Sequence, residues 1–188
     1  MQGAHFAVDM HFQPDPGGAP LEDGQTVAFD ASGFDRVEFL VAPNPGEGLK
    51  PMVKIASGGE TSRLMLALKN TLVRADPVPT LIFDEIDQGI GGRVGSVVGE
   101  KLWRLGRQHQ VLCVTHLPQL AAFGDLHFRV GKHVEDGRTM TDVEKLDDRL
   151  RLEELAQMLG NVSEANLRAA RETLDGARQR AGELNAVG

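Results

Sequence analysis

In His5 to Phe12 the apolar positions keep a period of two, and from Glu60 onward the period lengthens towards that of a helix. His5 to Phe12 reads as a strand that Pro14-Asp15-Pro16-Gly17-Gly18 breaks, and Arg36 to Val41 as a second strand closed by Pro43-Asn44-Pro45-Gly46. Leu64, Leu68 and Leu72, with Met65 beside them, then mark one stripe of a helix running from Glu60 to about Arg74, where Asp76-Pro77-Val78-Pro79 stops it. Thr80 to Phe83 is an apolar strand and Gly89 to Gly92 a turn. A helix from about Arg93 to Arg107 follows, with Val94, Val97, Val98, Leu102 and Leu105 facing inward, and then a strand from Val111 to Thr115. Strand, covering helix and strand in that order make a βαβ unit, whose two strands are expected to lie parallel in a sheet covered on both faces.

Beyond Pro118 the pattern predicts a short helix, strands at Leu126 to Val130 and Thr139 to Leu146 joined by a turn at Glu135-Asp136-Gly137, and two closing helices, Asp148 to Leu159 and Ser163 to Leu184. The last carries Leu167, Ala170, Leu174, Ala177, Ala181 and Leu184 at the spacing of a coiled-coil seam. A seam so short and so rich in alanine reads better as a face packed on its own domain.

Composition narrows the function. The 188 residues, 41% hydrophobic and 25% charged, are enough for a real core, and one domain is expected. A net charge of -7 argues against a chain whose main work is neutralising nucleic-acid phosphate. The single cysteine, Cys113, lies in the apolar run Val111-Leu112-Cys113-Val114 and reads as a small buried hydrophobe, in keeping with a reducing cytoplasm. No apolar run reaches the roughly 20 residues of a membrane helix, and the first residues, with Asp9 and Asp15, do not have the order of a signal peptide.

Three short stretches carry the chemistry. Ser57-Gly58-Gly59-Glu60 opens the first helix. Ser-x-x-Glu before an apolar run is a capping box, in which the two side chains satisfy free backbone N–H groups. That accounts for Ser57 and Glu60 but leaves the two glycines, each costing roughly 0.5 to 1 kcal/mol in a helix relative to alanine. An anion brought close to the first N–H groups is the other reading. Asp84-Glu85-Ile86-Asp87 follows directly on the strand Thr80 to Phe83, at the strand end where open α/β sheets bind their ligands. Adjacent strand residues face opposite ways, so one of Asp84 and Glu85 can hold a hydrated magnesium ion while the other polarises an attacking water; a polar strand terminus entering a loop is the plain alternative. His116 ends the neighbouring strand and so falls on the same sheet edge, where it can donate to a γ-phosphate or orient the water. The other five histidines have no such setting, and no Cys/His spacing suggests structural zinc. A phosphate-cradling Gly-x-x-x-x-Gly-Lys-Ser/Thr loop is absent from the sequence, so these parts do not make a complete nucleotidase.

Read in order, Ala56-Ser57-Gly58-Gly59-Glu60, Leu81 to Gly92 and Val114-Thr115-His116-Leu117-Pro118-Gln119 resemble the C-terminal part of the RecN family, bacterial DNA double-strand break repair ATPases related to the structural-maintenance-of-chromosomes proteins. Val37 to Leu40 and Asn44-Pro45-Gly46-Glu47 resemble it as well. The resemblance implies the C-terminal lobe of an ABC/SMC-like ATPase head, a cytoplasmic, nucleoid-associated protein with ATP and Mg²⁺ as cofactors. Ser57, Gly58, Gly59 and Glu60 are then the signature that meets ATP held on the opposite head. Asp84 is the magnesium-linked aspartate, Glu85 the general base and His116 the switch histidine. Asp87 through Gly92 form the loop that crosses the dimer interface, with Gly91 where many ABC proteins carry aspartate. The implied partners are an N-terminal lobe of the same protein, a second head in a homodimer, and DNA through the full assembly. Without the N-terminal lobe, the chain is expected to be inactive. The competing expectation is a non-catalytic dimerisation or DNA-contacting module, drawing on Lys101, Arg104 and Arg107 or on Arg168, Arg171, Arg178 and Arg180. Glu100, Glu172 and Asp175 on the same helices make solvated mixed faces the simpler reading.

Overall fold

A computed structural model describes residues 3–42, 44, 46–54, 58–72, 77–135 and 137–187. The chain divides into two compact units, Met1–Thr61 and Ser62–Gly188.

In the first unit, β1 (His5–Phe12) pairs antiparallel with β4 (Asp35–Ala42) along its whole length, from His5 opposite Ala42 to Phe12 opposite Asp35. The alternation in both strands puts Phe6 and Phe39 on one face, where their rings stack at 5.7 Å. The short β5 (Lys50–Pro51) continues the sheet beyond β4, and a 3₁₀ turn, Met52–Lys54, follows. The Pro/Gly tract expected only to interrupt the strand forms β2 (Pro14–Pro20), paired with β3 (Thr26–Val27) through a bulge that sets both Pro14 and Ala19 against Val27. A bulge accommodates the prolines outside the regular ladder. Gly18 is required there, since a Cβ would lie 2.0 Å from the carbonyl oxygen of Val27.

The unit boundary falls inside α1 (Gly58–Thr71). In the second unit β6 (Thr80–Phe83) and β7 (Gln110–Cys113) pair in parallel across α2 (Gly92–Leu105), as the βαβ reading requires. Leu81 and Phe83 point into a core with Leu66, Ile86, Val98, Leu102, Leu105 and Leu120. A second cluster joins Ala122 and Phe123, just past α3 (Pro118–Ala121), to α4 (Asp148–Met158) and α5 (Glu164–Val187) through Leu155, Ala156, Ala170, Leu174 and Ala177. The alanine seam of α5 is thus packed on its own unit. Asp147 caps α4 by accepting from the Leu150 N–H at 2.8 Å. A hairpin of β8 (Phe128–Glu135) and β9 (Arg138–Lys145) lies between. No helix among the described residues is long and apolar enough to cross a membrane.

The α/β class stands, but several expectations within it need correction. Among the described residues only β6 and β7 pair in parallel, and the other four pairings are antiparallel. The sheet is therefore not mostly parallel: a parallel crossover needs a connection as long as α2, and short connections return the chain antiparallel. Nor are both faces of β6 and β7 covered. Ile82 is 71% and Val114 62% exposed, with Leu112 exposed between them on the same face. On α2, Val94 and Val97 are exposed and the buried stripe is Gly95, Val98, Gly99, Leu102 and Leu105. Glycine lets the Leu117 and Phe123 side chains close onto the helix, as a Cβ on Gly95 or Gly99 would lie 3.0 Å or 2.5 Å from them. On α1 the leucine stripe is half-buried or exposed, and Leu66 is the buried hydrophobic residue.

Candidate active site

The parallel register sets Thr80 opposite Gln110 and Phe83 opposite Cys113, and the Val114 N–H donates to the Phe83 carbonyl at 2.9 Å. The carboxyl ends of the two strands therefore coincide, and Asp84 and Thr115-His116 leave the sheet at one edge.

Asp84 and Glu85 are both exposed, but strand alternation is not what separates them. β6 ends at Phe83, and Glu85 turns the chain with a φ of 55°, the one non-glycine residue in the left-handed region among those described. Such a conformation costs of order 1–3 kcal/mol in a residue with a Cβ and survives where the surroundings fix it. The fixing contacts are visible. Asp84 Oδ1 accepts from the Glu85 N–H at 2.8 Å, and the Glu85 carbonyl accepts from the Gln88 N–H at 3.0 Å. Ile86, fully buried, anchors the turn from below. From α1 the Ser62 hydroxyl donates to the Asp84 carbonyl at 2.9 Å, while the Arg63 guanidinium donates to the carbonyls of Ile86 at 3.1 Å and Gln88 at 2.9 Å. Sequence reasoning passed over Ser62 and Arg63. They lie on the side of α1 that carries the buried Leu66, away from the Leu64, Leu68 and Leu72 stripe that the periodicity picks out, so no sequence signal singled them out.

Asp87 turns inward. Its side chain is 5% exposed, and Oδ2 accepts from the Thr115 hydroxyl at 2.5 Å and from the His116 backbone N–H at 2.8 Å, with the His116 ring Nδ1 at 3.0 Å. Thr115 in turn accepts from the Leu117 N–H at 3.0 Å. Asp87, which the resemblance places at the start of the interface-crossing loop, is hydrogen-bonded within its own chain, because the αL turn at Glu85 carries it back beneath the end of β7. The His116 ring itself is 72% exposed. Burial, and after it the charges of Asp87 and Asp84, push the nearby Cys113 thiol up to about 12, so it stays protonated and inert as a nucleophile.

Ser57 lies outside the described residues. Gly58 and Gly59 open α1, with Glu60 in its first turn, and these three belong to the first unit. The structure thus brings Asp84, Glu85, Asp87 and His116 together at one sheet edge. No group of three or more His, Cys, Asp or Glu among the described residues could hold a metal ion by itself. Asp84 fits a shared ion nonetheless. It is an exposed, hard oxygen donor of the kind magnesium takes one at a time, filling its remaining positions with water and phosphate.

No family model matches the chain. Among curated proteins it is 54% identical over 131 residues to the DNA repair protein RecN of Xylella fastidiosa (strain Temecula1), covering 70% of this chain and 24% of that protein. It is 44% identical to RecN of Bacillus subtilis (strain 168) over 86% of this chain and 28% of the relative, and 46% identical to RecN of Streptomyces coelicolor over 95% and 31%. The resemblance seen in the motifs therefore extends along most of the chain, which spans about a quarter to a third of these relatives' length. Of the solved structures, the Smc head domain with a coiled coil and joint from Pyrococcus yayanosii aligns at 24% identity and a TM-score of 0.47 over 81% of this chain and 26% of that one. The Smc head bound to the C-terminal domain of ScpA from Pyrococcus furiosus aligns at 22% and 0.45 over 81% and 34%. These two likenesses are too distant to bear on the chemistry.

Proposed function

We propose, from the premise that this chain is a relative of RecN along most of its length, that it is the C-terminal lobe of an SMC-like ATPase head in a bacterial DNA double-strand break repair protein. The observation that carries this reading is the edge where Asp84 and Glu85 leave β6 beside His116. The chain holds carboxylates for a metal ion and a water but no phosphate loop. The nucleotide then arrives on the N-terminal lobe of the same protein. In a head dimer Ser57, Gly58, Gly59 and Glu60 meet the phosphates bound to the other head. Asp84 would help to hold Mg²⁺, which when bound supplies positive charge against the phosphate oxygens. Glu85 acts as general base, held outward by the αL turn, and His116 completes the edge. DNA is engaged by the full assembly in the cytoplasm, at the nucleoid.

The test is reconstitution. This chain alone is expected to hydrolyse no ATP above background, and addition of the N-terminal lobe to restore turnover. Glu85→Gln in the restored head should lower kcat by about 100-fold or more, the range in which a general base acts. Full turnover by the isolated chain, or by the reconstituted Gln variant, would remove the assignment. The alternative of a DNA-contacting module has less behind it: Arg168 and Arg178 of α5 lie 3.8 Å from Glu164 and Asp148, a mixed face with no basic stripe.

A further inference from the structure

Every second carbonyl of the acidic turn accepts a hydrogen bond from α1: Asp84 from the Ser62 hydroxyl at 2.9 Å, and Ile86 and Gln88 from one guanidinium nitrogen of Arg63 at 3.1 Å and 2.9 Å. Among the described residues no backbone N–H takes the Ile86 or Gln88 carbonyl, so it is Arg63 that holds those two peptide groups. The residue between them is held from the other side, where the Asp87 carboxylate accepts from the Thr115 hydroxyl and the His116 backbone N–H. Peptide groups are planar, so a turn whose alternate planes are pinned keeps few free dihedrals. The left-handed backbone of Glu85 falls between two such planes, one ending in the Asp84 carbonyl and the other in that of Ile86. Of the two donors on α1 the guanidinium is the stronger, because it is charged. What it secures is a short segment on which Asp84 and Glu85 are exposed while Ile86 is buried.

We propose that Arg63 is a positioning residue for Glu85: by donating to the Ile86 and Gln88 carbonyls it keeps the turn in the left-handed form that sets the glutamate at the sheet edge beside Asp84. It acts through the backbone. Without the guanidinium, the strain at Glu85 is no longer opposed from α1 at these two carbonyls, and the turn relaxes towards a right-handed or extended backbone that carries the carboxylate elsewhere. The inference rests on the ATPase reading for what Glu85 does, but the clamp is a property of this chain alone.

Arg63→Met and Arg63→Lys separate donation from packing, since both keep an unbranched stem and only lysine keeps donors. Amide hydrogen exchange in this chain reads the clamp. In Arg63→Met the amides of Glu85 and Gln88, which donate to Asp84 Oδ1 and to the Glu85 carbonyl, should exchange at least about tenfold faster. The Val114 amide, on the Phe83 carbonyl, should keep its rate within about twofold and so show that the chain is folded. In Arg63→Lys all three amides should stay near the unsubstituted rates. Unchanged exchange at Glu85 and Gln88 in Arg63→Met overturns the clamp, and so does equal acceleration at all three amides, the mark of a general loss of stability. In the reconstituted head Arg63→Met should lower kcat about tenfold or more with KM for ATP within about twofold, while Arg63→Lys keeps kcat within about threefold of the unsubstituted head. Normal turnover by Arg63→Met, or turnover by Arg63→Lys as low as that of Arg63→Met, overturns the positioning role. If the exchange pattern is found but no ATPase can be reconstituted, the function reading fails while the clamp stands.

Discussion

Glu85 is exposed on a left-handed backbone, and a residue with a Cβ pays for that conformation in strain. Glycine would be easier there. That the position carries glutamate agrees with a side chain needed for chemistry rather than for the turn. Two residues on, the buried carboxylate of Asp87 serves the neighbouring strand end, and both it and Asp84 act on Cys113. The thiol is predicted to resist iodoacetamide at pH 8 in the folded chain and to react on unfolding, as read by mass spectrometry. Its ordinary value is 9.0 and its folded value about 12. Below pH 9.0 both states keep the proton and stability is unaffected; above it the unfolded chain ionises while the folded chain does not, so stability falls as pH rises towards about 12. Denaturant midpoints at pH 8 and pH 10 should differ more in the unsubstituted chain than in Cys113→Ala.

Helices α2 and α5 contain glycines of opposite character. Gly99 on α2 faces Phe123, and the alanine Cβ would approach the ring to 2.5 Å. Gly176 within α5 has nothing within 4 Å of where a Cβ would be. Gly99→Ala should therefore destabilise the chain by about 1–3 kcal/mol through overpacking. Gly176→Ala should stabilise it by about 0.5–1 kcal/mol, since only the conformational freedom of the unfolded chain changes. Urea unfolding of the two variants checks both signs. The Gly99 contact also bears on the site, because α3, which it seats against α2, begins two residues after His116.

Within the second unit the parallel pair has one face packed and the other bare. Leu81 and Phe83 are buried, while Ile82, Leu112 and Val114 remain exposed. Parallel strands are ordinarily covered on both sides, and the proposed N-terminal lobe is the natural cover. Ile82→Lys should change the stability of this chain by less than about 1 kcal/mol, because the side chain is already in water. The same substitution should abolish restored ATP turnover on mixing with the N-terminal lobe. Normal complementation by the variant would show that this face is not where the lobes join.

Local order was legible in the chain itself. The bounds of β1 and β6, the βαβ crossover, the two closing helices and the acidic strand end all follow from short-range periodicity and breakers, which act within a few residues. The co-location of Asp84 and His116 followed from the crossover, because parallel strands present their carboxyl ends together. Other features depended on what packs against what. No periodicity announces that Glu85 is left-handed, that Asp87 folds back under Thr115 and His116, that α2 buries two glycines while Val94 and Val97 face out, or that Leu66 rather than the leucine stripe of α1 enters the core. Each is set by contacts between segments far apart in sequence, where a hydrogen bond or a close approach of two helices outweighs local preference.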